Sequence, residues 1–149
     1  MNGGGDEIDA GSQQQDALIK EWPFKHRGAP VWHLNEPVSR ALRLSDEWPL
    51  VCWGSTDEFA VVGSHAWRRK IDEIFNELAK RHRHIPKIHM LRGMQCCEWG
   101  YPFYSVDSTD VGQNHNSRIH TARQMAERWD AQNGPCGWTP LPIQQELIA

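Results

Sequence analysis

Between Ile85 and Asp110 the chain reads IPKIHMLRGMQCCEWGYPFYSVDSTD, and the residues able to do chemistry gather at two points within it. One is His89, followed by Met90, Leu91, Arg92 and Gly93; the other is Asp107, followed by Ser108, Thr109 and Asp110. An aspartate can attack an electrophilic carbon or stabilise a developing cation, and an imidazole can move a proton near neutral pH. Each point closes a short apolar run, Lys87 to Leu91 and Pro102 to Val106, too short for a helix and bounded by polar residues, so both runs read as buried strands. In α/β folds ligands collect past the carboxyl ends of parallel strands, which puts both points on the functional edge.

The elements that must position these residues are legible along the chain. Gln13 to Trp22 has Ala17, Leu18 and Trp22 on one side of a short helix that Pro23 stops. Ala29 to Leu34 (APVWHL) reads as a strand, and Asn35 or Glu36 near the N-cap with Pro37 in the first turn starts a helix whose inner face is Val38, Ala41 and Leu42, closed by Trp48 and Pro49. Leu50 to Trp53 is the next strand, ending at Gly54 and Ser55. From Ala66 to His82, Ile71, Ile74, Phe75, Leu78 and Ala79 recur at helical spacing. After the two strands of the opening segment, Ile119, Ala122, Met125, Ala126 and Trp129 mark a last amphipathic helix, ended by Gly134 and Pro135. The tail holds Pro140, Pro142 and QQELI, a short helical pattern.

Strands alternating with helices imply α/β structure with a parallel sheet and right-handed crossovers, from four β units starting at Ala29, Leu50, Lys87 and Phe103. Residues 1–12 read as a flexible segment, 13–134 as one domain and 135–149 as a tail. Parallel strands would bring His33, Asn35, Gly54, Ser55, His89 to Gly93, Asp107 and Ser108 to one edge. The basic run Lys80 to His84 would fall at the opposite end, and Arg68 and Arg69, near a helix N-terminus, would be placed to meet a phosphate. Each candidate has a plainer role as well: Asp107 as a cap for the following turn, His33 and His89 as hydrogen-bonded core histidines, Gly54 as a turn residue.

Composition narrows the classes. With 149 residues, 39% of them hydrophobic, and eight Trp, the chain can bury one core. No apolar run reaches the ~18 to 20 residues of a membrane span, and the start is acidic rather than signal-like. Cys52, Cys96, Cys97 and Cys136 form no CxxC pair, so neither a disulfide framework nor a ribbon-type zinc site is indicated and reduced thiols in a cytoplasm are expected. A net charge of -3 argues against coating nucleic acid by bulk electrostatics.

The order APVWHLNEP, WPLVCWGS, HMLRGMQCCEWGYPFYSVDSTD and QNHN resembles the C-terminal half of phage and actinobacterial queuine tRNA-ribosyltransferase-like proteins, relatives of the tRNA-guanine transglycosylases and of enzymes that put 7-deazaguanines into DNA. The resemblance covers roughly Glu7 to Trp138 and is most distinctive over Val31 to Asn116. It implies part, about half, of a TIM (β/α)₈ barrel, a fold of ~250 residues when whole. It also implies exchange of guanine in tRNA or DNA for a 7-deazaguanine base; for this chain no cofactor and no metal are expected. In this pattern Asp107 of SVDST matches the nucleophile that attacks C1′ of the sugar through an oxocarbenium-like transition state. His33 matches a base-recognising glutamine, Gly54 and Ser55 a glycine-rich loop against the base, and Met90 and Leu91 apolar residues on the purine face; a paired target nucleotide would have to be flipped. The early strands, with a second aspartate and a stacking aromatic, have no match, and neither does the family's site of three cysteines and a histidine for zinc. The implied alternatives are a non-catalytic remnant, or a subunit completed by a homodimer mate or an N-terminal half-barrel partner, since a half barrel leaves two sheet edges and an inner face uncovered. A metal-dependent barrel hydrolase with His33, His89 and Asp107 as ligands is a lesser one, with no HExxH motif in the chain and no HxH pair among those ligands to support it.

Overall fold

The computed structural model of the chain describes residues 10–114, 119–131 and 138–140. Four parallel strands, β1 (Val31–His33), β2 (Val51–Gly54), β3 (Ile88–Met90) and β4 (Ser105–Val106), pair in the order β1-β2-β3-β4. Among the described residues five α-helices accompany them: α1 (Ala10–Glu21), α2 (Val38–Glu47), α3 (His65–Arg81), α4 (Asp110–Asn114) and α5 (Ala122–Asp130). The expectation of α/β structure with a parallel sheet and flanking helices is met.

Because the strands pair in chain order and parallel crossovers share one hand, the crossover helices fall on one face of the sheet. Here α2 and α3 contact each other, the Phe75 ring of α3 lies 5.0 Å from that of Trp53, and a single core cluster joins both helices to the strands. From the sheet come Trp32, Leu34, Val51, Trp53, Ile88 and Met90, all fully buried; from α3 come Trp67, Ile71, Ile74, Phe75 and Leu78. Each large apolar side chain taken from water contributes about 1.5 to 3 kcal/mol, so this face holds the sheet together. The alternate residues Val31, His33, Cys52, His89 and Ser105 point the other way and stay half-buried.

Strand β4 departs from simple alternation. The amide of Tyr104 donates to the Ile88 carbonyl and that of Asp107 to the Met90 carbonyl, so three steps along β4 match two along β3. This bulge lets both Phe103 and Val106 reach the core while Ser105 and Asp107 face away from it.

The outer edge of β1 is occupied, against the expectation of two uncovered edges. The Val31 carbonyl accepts from Arg40 Nη1 at 3.0 Å, the His33 amide donates to Glu36 Oε2 at 2.8 Å, and the His33 carbonyl accepts from the Glu36 amide at 2.9 Å. Arg40 and Glu36 are themselves buried and paired at 2.8 Å; Asp16 of α1 bonds Arg40 and also Arg43, and Ser12 Oγ donates to Glu36 Oε1 at 2.9 Å. Helix α1 is thereby tied to the edge through its polar side, and residues 10–12 belong to it rather than to a flexible segment. Glu36, bound to this network, does not cap α2, and neither does Asn35; Pro37 occupies the N-cap position.

The other helix limits follow local chemistry. Ser64 caps α3 by accepting from the Trp67 amide, and Thr121 with Gln124 forms a capping box at α5. Ile119 precedes α5 and is 79% exposed. Gly134, Pro135, Cys136 and the QQELI pattern lie outside the described residues. No described helix is long and apolar enough to cross a membrane.

Candidate functional site

Register places Val31, Cys52, His89 and Ser105 in one row across the open face, with His33 and Gly54 one level nearer the carboxyl edge. Asp107 follows two residues after Ser105, at the same edge, and its side chain is 50% exposed.

Asp107 is held on three sides by the segment leaving β3. Its amide donates to the Met90 carbonyl at 3.3 Å, its carbonyl accepts from the Met94 amide at 3.1 Å, and its Oδ1 accepts from the Arg92 amide at 2.5 Å. Arg92 reaches this position in the left-handed region, at φ 56°, and Gly93 follows because a Cβ there would come within 2.4 Å of the Met90 side chain. Oδ2 faces the His89 imidazole, 3.8 Å from Nε2, too far for a hydrogen bond. The other imidazole nitrogen, Nδ1, lies 2.8 Å from Ser105 Oγ. The carboxylate is thus fixed through one oxygen and leaves the other presented beside an imidazole. It does not cap the next helix: Ser108 Oγ accepts from the Asp110 amide.

On the β1 side the His33 ring lies over Gly54, where a Cβ would come within 2.9 Å of its Cδ2. Between the histidines sits Cys52, whose thiol is pushed up first by burial and then by the Asp107 charge. That second cause reports the carboxylate's reach onto the open face.

The predicted set therefore divides. His33, Gly54, His89 and Asp107 share the open face and its carboxyl edge. Met90 does not: it is fully buried on the opposite face, because its neighbour His89 takes the open side and alternation sends Met90 under the helices. Ser55 likewise turns toward α3, accepting from Trp67 Nε1 at 3.0 Å. Asn35 is exposed at the edge, donating to Asp57 Oδ2 at 2.5 Å and accepting from Thr56 Oγ1 at 2.8 Å. Leu91 is half-buried, Arg92 exposed and Gly93 buried in the turn that carries Asp107. Arg68 is committed to the fold, donating to the Gly63 carbonyl at 2.9 Å with its guanidinium 4.0 Å from the Trp99 ring centre, while Arg69 is exposed. The run Lys80 to His84 lies at the far end of α3, where Arg81 pairs with Asp46 at the end of α2.

Cys52 and Ser105 were not among the expected site residues. Each stands two positions before one that was, Gly54 and Asp107, so the period of a strand was the available signal. Among the described residues no three His, Cys, Asp or Glu side chains converge to hold a metal ion, and His33 leans over Gly54 on the other side of the face from the His89 and Asp107 pair. Cys52, Cys96 and Cys97 are free thiols, with Cys96 raised to about 12 chiefly by burial. Set against protein families, curated proteins and solved structures, the chain matches none of them.

Proposed function

We propose that this chain is transglycosylase-like, exchanging guanine in tRNA or DNA for a 7-deazaguanine base with Asp107 as the nucleophile, on a sheet that forms about half the wall of a (β/α)₈ barrel. The observation that carries the reading is the Asp107 carboxylate, fixed through Oδ1 and open at Oδ2, at the carboxyl edge of a parallel sheet. Strands paired in chain order, with their helices on one face, are also how a barrel wall is wound.

The chemistry closes on one carboxylate. Oδ2 attacks C1′, the C1′–N9 bond breaks, and guanine leaves with the electron pair and takes a proton. The glycosyl ester is then attacked by the ring nitrogen of the incoming base, which loses its proton as the carboxylate departs. An anion beside the oxocarbenium-like carbon stabilises both transition states. His33 at the same edge is available to hydrogen-bond a base, and Leu91 to touch its face.

Incubation of the full chain with guanine-containing tRNA or DNA and a labelled 7-deazaguanine tests this, with Asp107→Ala alongside. Incorporation by the wild type and its loss in the variant is the expected result; equal incorporation by both removes Asp107 from the role. The half-buried row Val31, Cys52, His89 and Ser105 on the face away from α2 and α3 favours a second reading as a base-binding or partner-binding subunit. A defined complex on gel filtration, without exchange by the chain alone, would select it.

A further inference from the structure

Resting on the reading of Asp107 as nucleophile, we propose that Ser105 and His89 are its positioning residues: the Ser105 hydroxyl donates to His89 Nδ1 and so fixes the tautomer whose Nε2–H faces Oδ2. The 2.8 Å contact at Nδ1 leaves two arrangements open, since a hydroxyl can donate or accept. If Ser105 accepted from Nδ1–H of the neutral ring, the unprotonated, electron-rich Nε2 would stand 3.8 Å from a carboxylate oxygen. The carboxylate therefore selects Nε2–H, and Ser105 becomes the donor. Cys52, the neighbour of His89 on β2, stays a neutral thiol and supplies no competing charge.

The same distance decides what His89 is not. An acid that protonates a leaving group stands across the sugar carbon from the nucleophile, which keeps such pairs about 5 to 5.5 Å apart in retaining glycosidases. At 3.8 Å His89 is beside the nucleophile. It aligns Oδ2 electrostatically while leaving the attacking lone pair free of a hydrogen bond.

Imidazole ¹H–¹⁵N NMR on the full, ligand-free chain reads this directly, with His89 assigned by His89→Gln. The expected spectrum has Nε2 protonated and Nδ1 as a hydrogen-bonded acceptor. Ser105→Ala should move the Nδ1 resonance to that of a free acceptor, and Ser105→Thr should restore it. Asp107→Asn, which takes away the charge that selects Nε2–H, should raise the share of the Nδ1–H tautomer. Where exchange is measured, Ser105→Ala should slow it about tenfold and Ser105→Thr should recover it. A wild-type His89 protonated at Nδ1, or a tautomer ratio indifferent to Asp107→Asn, would overturn the proposal. Coupling intact in the free protein without any base exchange would count against glycosyl transfer and leave the coupling established.

Discussion

The two faces of this sheet are built from alternate residues of the same strands, and they have opposite characters. Trp32, Trp53 and Met90 lose all contact with solvent beneath α2 and α3, whereas His33, Cys52, His89 and Ser105 stay half open with Asp107 at their head. One face concentrates apolar burial, and the other concentrates groups that donate, accept or carry charge. The contrast teaches that cohesion and chemistry are separated by a single step along a strand, so substitutions on neighbouring residues should fail in different ways.

The largest effect should come from the covered face. Phe75→Ala, in contact with Trp53, Tyr101 and Phe103, should lower stability in urea by about 3 to 5 kcal/mol. His33→Ala on the open face should cost under about 1 kcal/mol; equal losses would erase the distinction. Where the faces meet at β1, Arg40→Met should cost roughly 3 kcal/mol by the same measurement, because it leaves buried Glu36 without its cation. A smaller loss of about 1 kcal/mol is expected for Ser64→Ala, which removes the cap of α3 without touching either face.

The smallest effect probes the open face alone. The Asp107 charge adds to burial in holding the Cys52 thiol above its ordinary range, so the thiolate is scarcer while that charge is present. Asp107→Asn removes the electrostatic part and leaves the burial part, so the thiol should fall partway back. Alkylation of Cys52 at pH 8 should then run about twofold faster. An unchanged rate would mean that the carboxylate does not reach across the face.

Much of the scaffold was legible because it depends on periodicity. The spacing of Ile71, Ile74, Phe75 and Leu78 marked α3, and the alternation of short apolar runs with helices marked the parallel sheet. The edge rule also brought Gly54 and Asp107 to one side. What it could not assign was parity: His89 and Met90 are adjacent, and only the register with Cys52 and Trp53 decides which of them meets solvent. The bulge in β4 shifts parity again between Phe103 and Val106, through backbone bonds that leave no trace in residue type. The tie between Ser12, Asp16, Glu36 and Arg40 was illegible for another reason. Ser12 and Arg40 join partners 24 residues away, and long-range pairing of polar residues has no local pattern to announce it.

The occupied rim of β1 also limits how copies of this protein can stick together. A fibre grows only when each added molecule presents two free rims, one to bind and one to be bound. Here a guanidinium, a carboxylate and a backbone amide already hold the Val31 carbonyl and both backbone groups of His33, so an edge-to-edge encounter in a crowded refolding mixture finds those groups of this rim already taken.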